Sequence, residues 1–314
     1  MTRKIAAALC LSTLAAWCLV LNCPQPGDSQ MLRQLIRQRL QARQPKQGQD
    51  ALSGTLAKSG ADETIASMHV VIWDPKQEGK RPLVIFSHGF HGGSRQSTSL
   101  MEALCQAGYL VVSPDHKDSF KNGLGVKPEV GFAKANNWSE ATYEERGEDI
   151  KRLVAALQND RKWKERIDWS KLTLMGHSLG GYTVLGLAGA WPSWKLPGVK
   201  AVVALSPYCA PYLRKKTLGD LKIPVMYQGG TRDTGITPFL KSPDGAFAST
   251  PAPVYFVEFA DANHFSWTNF NKDKNKSDLI DHYCLAFLSK YVLGDKTAAP
   301  QEKLSGVSTL SVKN

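Results

Sequence analysis

The sequence predicts an α/β domain in which helices cover both faces of a mostly parallel sheet. Short β-branched runs alternate along the chain with stretches of helical spacing, and that alternation is typical of successive βαβ units. The later runs are nearly continuous in apolar residues, as strands covered on both faces must be. With 314 residues, 42% hydrophobic and 21% charged, the chain is long and apolar enough for one domain of roughly 230 to 250 residues plus tails.

The individual elements follow from periodicity and from the turn residues between them. Seven runs are predicted strands, at residues 69–73, 82–86, 109–112, 171–175, 201–205, 223–227 and 254–258. Four stretches are predicted helices, at residues 100–107, 143–157, 179–190 and 277–292. Together they define a domain over residues 61–293. Residues 294–314 lose this periodicity, which predicts a disordered tail.

The first 60 residues indicate export. Arg3 and Lys4 precede the apolar run 5–21, which predicts an export signal over residues 1–22. Cleavage and release, lipid attachment at Cys23 and an uncleaved anchor all stay open, although a run of 17 residues lies near the lower limit for spanning a bilayer. Residues 23–60 form a predicted basic linker, whose first part also has the spacing of a helix lying on an anionic membrane. The protein is therefore expected to be periplasmic, secreted or lipid-anchored in a bacterial envelope, with possible peripheral membrane association.

Composition narrows the range of partners. The formal charge of +11 favours anionic surroundings such as lipid headgroups and is no evidence for nucleic-acid binding. The six cysteines form no tandem Cys-x-x-Cys pairs, so zinc is not indicated, and whether Cys209 and Cys284 pair is open. No carboxylate joins His88, His91 and His116 at ligand spacing, so no metal site is expected.

The strongest motif is Gly-x-Ser-x-Gly around Ser178. It follows a predicted strand and opens a predicted helix, the setting that a nucleophile elbow requires. A serine on so sharp a turn leaves no room for side chains two positions away, and Gly176 and Gly180 remove that collision. Gly181 allows the helix to pack closely on the sheet. These features predict Ser178 as a nucleophile.

The loop after the second predicted strand, residues 86–93, carries glycines on either side of Phe90. Ester hydrolysis places negative charge on the carbonyl oxygen, so two N–H donors must already point at that position. The predicted donors are the amides of Leu179 and Phe90, with His91 as the alternative if the loop is offset by one residue.

A serine nucleophile needs a histidine base and a carboxylate that orients it. Asp233 follows one predicted strand and His264 follows the last, so the order Ser178, Asp233, His264 is that of this fold. Asp261 competes as the acid, but it lies three residues before His264 and is expected to shape that loop. Asp244 is a further competitor.

Aromatic and imidazole side chains near these motifs are predicted to line the substrate pocket. The connection 119–146 is long and is a candidate lid, with Trp138 inside it. Trp267 and His177 flank the base and the nucleophile, and Tyr208 follows the strand 201–205. For Trp267, ordinary packing is an equal alternative.

At these residues the chain resembles an α/β-hydrolase of the dienelactone hydrolase and platelet-activating-factor acetylhydrolase-like group. The resemblance covers residues 70–292 and is most specific in four segments, at 86–90, 115–119, 176–181 and 264–270. It implies the α/β-hydrolase fold. In the acetylhydrolases the acid follows the sixth strand, where this chain has Ser206 and no carboxylate. Asp233, one strand later, fits the commoner placement, which the polyester-hydrolysing cutinase-like relatives share.

The expected activity is hydrolysis of carboxylic esters through an acyl-enzyme on Ser178, without a metal or organic cofactor. The expected substrate is a small-molecule or lipid-like ester. Two alternatives use the same residues, namely an amidase, peptidase or acyltransferase, and a catalytically silent binding protein.

Overall fold

The computed structural model describes residues 60–122 and 126–314. The predicted export signal, and the predicted linker except for Gly60, lie outside the described residues. None of the described helices is both long and apolar enough to cross a bilayer.

A twisted sheet forms the centre of the molecule. Its strands are β1 (Ala61–Ile65), β2 (Met68–Trp73), β3 (Arg81–Ser87), β4 (Leu110–Pro114), β5 (Ile167–His177), β6 (Val199–Leu205), β7 (Val225–Gly230), β8 (Val254–Phe259) and β9 (Val307–Lys313). Their order is β1-β2-β4-β3-β5-β6-β7-β8-β9. Pairing is parallel from β4 to β8 and antiparallel between β1 and β2, β2 and β4, and β8 and β9. This is the α/β-hydrolase arrangement that the sequence predicts.

Helices cover both faces of the sheet. They are α1 (Thr98–Gln106), α2 (Glu144–Asn159), α3 (Arg161–Arg166), α4 (Leu179–Leu185), α5 (Ala210–Lys215), α6 (Thr237–Lys241), α7 (Ala246–Ser249) and α8 (Lys274–Leu288). Neighbouring strand residues face opposite sides of the sheet. Val70 and Ile85 therefore belong to the core that contains side chains of α2 and α4, whereas Val71 and Val84 belong to the core that contains side chains of α1 and α8.

The prediction of a disordered tail at residues 294–314 is wrong, because part of this segment is strand β9. Its residues pair with β8, with Leu310 opposite Val257 and Val312 opposite Tyr255. Leu310 and Val312 pack against the core, and the Lys313 ammonium donates to the carbonyl oxygens of Ala248 and Thr250. An edge strand that is buried on one side only has few apolar residues, so its sequence signal is weak.

Helix α4 is shorter than the predicted helix 179–190. A wide turn over Gly186–Ala190 follows it, and within that turn Gly189 has a φ of 121°, a left-handed conformation that glycine adopts without strain. The cysteines Cys105, Cys209 and Cys284 are free and buried, so Cys209 and Cys284 do not pair.

Candidate active site

Ser178 occupies the sharp turn between β5 and α4. Its backbone angles are φ 55° and ψ −115°, outside the regions that L-residues favour. A Cβ on Gly176 would lie 2.3 Å from the Gly180 carbonyl oxygen, and a Cβ on Gly180 would lie 1.9 Å from that of Ser87. The turn therefore requires glycine at both positions, for the steric reason that the motif suggests.

The predicted oxyanion donors are the amides of Leu179 and Phe90. Leu179 is the first residue of α4, where an N–H group has no partner within the helix. Phe90 follows β3 in a loop that two hydrogen bonds shape: Gly92 N–H donates to the Gly89 carbonyl oxygen at 2.9 Å, and Gly89 N–H donates to Gln96 Oε1 at 2.9 Å. Both Phe90 and Ser178 line the same cavity.

A buried arginine is hydrogen bonded to this loop. Arg146 on α2 is fully buried and donates to the His88 carbonyl oxygen at 2.8 Å and to the Gly89 carbonyl oxygen at 3.3 Å. The carboxylate of Asp118 accepts from Arg146 at 2.8 and 2.9 Å. Burial raises the pKa of Asp118, but the charge and hydrogen bonds of Arg146 outweigh it, so that pKa is lowered. The loop is thereby fixed by a charged hydrogen bond network rather than by its own turns alone.

The histidines beside this loop make hydrogen bonds within the protein, and His91 also lines the cavity next to Ser178. His88 Nε2 accepts from the His116 amide at 3.0 Å, so its proton is on Nδ1, which donates to the Gly89 carbonyl oxygen at 2.7 Å. Burial and the charge of Arg146 hold the pKa of His88 well below its usual value. His116 contacts Asp149 Oδ2 at 3.0 Å, and His91 contacts the Val126 carbonyl oxygen at 2.8 Å. No group of three metal-ligating side chains is found among the described residues.

The structure brings Ser178, His264 and Asp233 together. His264 Nε2 lies 2.9 Å from Ser178 Oγ, within hydrogen bonding distance. Asp233 is buried, and both of its carboxylate oxygens lie 3.4 Å from His264 Nδ1. The competing acid Asp261 shapes the histidine loop, as expected: its φ is 55° and its amide donates to Thr231 Oγ1 at 2.9 Å.

A fourth side chain, Ser206 at the end of β6, also belongs to this cluster and was not predicted. Its Oγ lies 2.8 Å from His264 Nδ1 and donates to Asp233 Oδ2. The sequence gives only one hint, which is that Ser206 occupies a strand end where related hydrolases have an acid.

The cluster opens into a cavity of about 630 Å³, a size typical of small-molecule sites. His177 and Tyr208, which are predicted pocket residues, line this cavity together with Phe90. Further lining residues that the sequence did not reveal are Gln96, Phe132, Ala133, Ala135, Ala210, Arg214, Ile236, Phe239, Phe265, Thr268 and Phe270. The wall is therefore largely apolar, with one guanidinium and no carboxylate among the described lining residues.

Trp138 and Trp267 do not line the cavity, so their predicted pocket role is corrected. Trp138 is fully buried and packs against Tyr143 and Tyr182, with ring centroids 5.4 and 5.1 Å away. Trp267 is buried on the other side of the sheet, and its Nε1 donates to Gln228 Oε1 at 2.9 Å. Trp267 thus follows the packing alternative, and Trp138 is also a packing residue, because an indole buries a large apolar area once its N–H has an acceptor.

His177 supports the histidine loop from the residue before the nucleophile. Gln96 Nε2 donates to His177 Nδ1 at 3.1 Å, which leaves the ring proton on Nε2, and Nε2 donates to the His264 carbonyl oxygen at 2.8 Å. Burial, together with the neighbouring His264, lowers the pKa of His177 to about 3. His177 is therefore neutral at ordinary pH and holds the backbone of His264.

Comparisons with known proteins find similar sequences. A family model described as Chlorophyllase matches residues 46–219. Cutinase 2 of Thermobifida cellulosilytica is 26% identical over 71% of this chain and 73% of its own length. Cutinase cut1 of Thermobifida fusca is 26% identical over 71% of this chain and 60% of its own. Cutinase est1 of Thermobifida alba is 24% identical over 70% and 64%. The matched region thus spans less than two thirds of the length of Cutinase cut1 and of Cutinase est1.

Proposed function

The chain belongs to the chlorophyllase family of serine ester hydrolases, and we propose that Ser178, His264 and Asp233 carry out its reaction. The observation that carries the proposal is the 2.9 Å contact between Ser178 Oγ and His264 Nε2 inside the apolar cavity. A hydroxyl is a poor nucleophile until a base accepts its proton. An imidazole nitrogen at this distance is correctly placed for that transfer.

In the proposed mechanism Ser178 Oγ attacks the ester carbonyl carbon while its proton passes to His264 Nε2. The carbonyl oxygen becomes an oxyanion that accepts hydrogen bonds from the amides of Phe90 and Leu179. His264 then gives its proton to the alcohol oxygen, the C–O bond breaks and an acyl-enzyme remains. Water, deprotonated by His264, attacks the acyl carbon, and the acid leaves as Ser178 regains its proton.

The cavity suggests the substrate class. Aromatic and aliphatic side chains, among them Phe132, Ile236 and Phe239, line it and favour an apolar acyl or alcohol group. The substrate is a small-molecule or lipid-like carboxylic ester. The relatives named above are cutinases, and by analogy a polyester chain end is a candidate ligand here.

The closer kinship with the dienelactone hydrolase and acetylhydrolase-like group is part of the same proposal. Segment 115–119 supports it through its place beside the site. Asp115 Oδ1 accepts a hydrogen bond from the amide of Ser94, the residue that follows the loop 86–93, at 2.6 Å. The Asp118 carboxylate accepts a hydrogen bond from Arg146.

Export, and attachment to an envelope through Cys23, belong to the proposal as well, and their sequence evidence lies outside the described residues. The mass of the mature protein tests them. Loss of residues 1–22 with an added lipid mass on Cys23 is the expected result for attachment, and the unmodified shorter mass is the result for simple release. An intact amino terminus contradicts cleavage.

A panel of 4-nitrophenyl esters and matched 4-nitroanilides tests the activity. We expect ester turnover that Ser178→Ala abolishes, and labelling of the wild type but not of this variant by a fluorophosphonate probe. Amide turnover without ester turnover indicates an amidase or peptidase. Absence of both labelling and turnover identifies a silent binding protein and contradicts the proposal.

A further inference from the structure

A hydroxyl stands between the proposed base and the proposed acid. Ser206 Oγ is 2.8 Å from His264 Nδ1 and hydrogen bonded to Asp233 Oδ2, whereas the two carboxylate oxygens are each 3.4 Å from Nδ1. N–H···O hydrogen bonds in proteins usually span 2.7 to 3.2 Å. The carboxylate is therefore too far to be the main acceptor of the Nδ1 proton, and the Ser206 hydroxyl is the nearer one.

The number of protons available determines which group donates in each of these hydrogen bonds. An ionised carboxylate only accepts, and a serine hydroxyl has one proton to donate. The Ser206 proton therefore goes to Asp233, and its oxygen accepts from His264 Nδ1. This arrangement places the imidazole proton on Nδ1 and leaves the lone pair of Nε2 facing Ser178, which is the tautomer that a general base needs.

The backbone holds Ser206 in this position. Ser206 is fully buried, its φ is 43°, and its amide donates to the Gln228 carbonyl oxygen at 2.8 Å. The following residue, Pro207, packs directly against Gly181, where a Cβ would lie 2.4 Å from Pro207 Cβ. A non-glycine residue at positive φ is strained, and such strain persists where the surroundings impose it.

We propose that Ser206 is a positioning residue that links the carboxylate of Asp233 to the imidazole of His264. It rests on the proposed function, because it assigns a role within the same reaction. Through this hydroxyl the carboxylate orients the ring and stabilises the imidazolium that forms when Ser178 loses its proton. No proton needs to reach Asp233.

Three substitutions test the link. Ser206→Ala removes the hydroxyl and keeps the Cβ, so the backbone strain at this position is unchanged. Ser206→Gly removes the hydroxyl and also relieves the strain, because glycine adopts positive φ freely. Ser206→Thr keeps the hydroxyl. Ser113→Ala is the matched control, since Ser113 is also fully buried in the sheet and its Oγ has no hydrogen bond partner among the described residues.

Steady-state kinetics on a 4-nitrophenyl ester give the first readout. For Ser206→Ala and Ser206→Gly we expect kcat to fall about 10- to 100-fold, a fraction of what general acid–base catalysis typically contributes, with KM within about twofold because no substrate contact is lost. Ser206→Thr keeps the hydroxyl but adds a methyl group at positive φ, so it should recover part of the kcat lost in Ser206→Ala, and Ser113→Ala should match the wild type. Ser206→Gly should unfold at the same or a higher urea concentration than Ser206→Ala, which separates loss of activity from loss of stability.

Proton NMR gives the second readout, which a merely structural serine would not affect. The wild type should show a downfield resonance from the His264 Nδ1 proton, absent in His264→Ala and shifted upfield or lost by exchange in Ser206→Ala and Ser206→Gly. If folded Ser206→Ala and Ser206→Gly keep full kcat and the wild-type resonance, the link is wrong although the ester hydrolase stands. If the wild type has no ester activity, the proposed function itself fails.

Discussion

The substitution Gly180→Ala tests whether the turn at Ser178 and the loop that carries Phe90 form one packed unit. A Cβ at this position would lie 1.9 Å from the Ser87 carbonyl oxygen and 2.7 Å from that of His88, and ordinary contacts begin at 3.4 Å. In Gly180→Ala the end of β3 must therefore retreat by about 1.5 Å, because both obstacles are backbone atoms. The loop that carries Phe90 follows directly and moves with it.

This displacement should lower both kcat and the stability of the fold. Donors to an oxyanion act at 2.7 to 3.1 Å, and losing one typically costs about 10²- to 10³-fold in kcat. Forcing a methyl group into packed backbone costs roughly 1 to 3 kcal/mol of stability. We therefore expect Gly180→Ala to lose at least about 100-fold in kcat and to unfold at lower urea concentration.

The matched control is Gly219→Ala, since a Cβ on Gly219 meets nothing within 4 Å. Both variants are assayed with a 4-nitrophenyl ester and by urea unfolding followed by tryptophan fluorescence. Gly219→Ala should behave as the wild type. A Gly180→Ala enzyme with nearly wild-type kcat and stability refutes the coupling between the elbow and the loop.

Three further outcomes are expected. Deleting residues 307–314 removes β9, and the lost ladder hydrogen bonds and apolar contacts should lower the free energy of unfolding by at least about 3 kcal/mol; an unchanged urea midpoint contradicts this. Because Arg214 is the one guanidinium among the described lining residues, Arg214→Gln should raise KM about 3- to 10-fold for esters whose acyl chain ends in a carboxylate, and leave neutral esters unaffected; equal effects on both contradict it. The pKa of Asp118 is lowered in the folded protein. Its carboxylate therefore stabilises the fold above the unfolded pKa of about 3.9, and this contribution is lost as pH falls through the folded pKa. Between about pH 6 and pH 3 the unfolding free energy of Asp118→Asn, measured by urea titration, should fall less than that of the wild type.

Features that depend on short stretches of chain could be predicted from the sequence. The glycines around Ser178 are local steric requirements, and the strand that precedes them and the helix that follows are local patterns too. The same holds for the positions of Asp233 and His264, because residues that follow parallel strands meet at one edge of the sheet. The sheet orientation from β3 to β8 follows from the alternation of strands and helices.

Features that depend on distant parts of the chain could not be predicted. Ser206 acquires its importance only because β6, the Asp233 loop and the His264 loop converge, and a single serine after a strand carries no signal of that. The sequence predicts Trp138 at the cavity, and Trp267 there or in ordinary packing, because both lie near the motifs in sequence. The packing of the whole sheet and its loops decides where each indole is buried, and the residues near each tryptophan in sequence do not reveal it.

Strand β9 has a consequence for the order in which the molecule is made. Residues 307–313 are made after all the other described strands, so β8 remains an unpaired edge until they have left the ribosome. Such an edge is a template for pairing with other chains, and β8 leads directly into the loop of His264. Until β9 pairs with it, β8 therefore leaves an exposed edge directly before the segment that holds His264, and addition of β9 covers that edge.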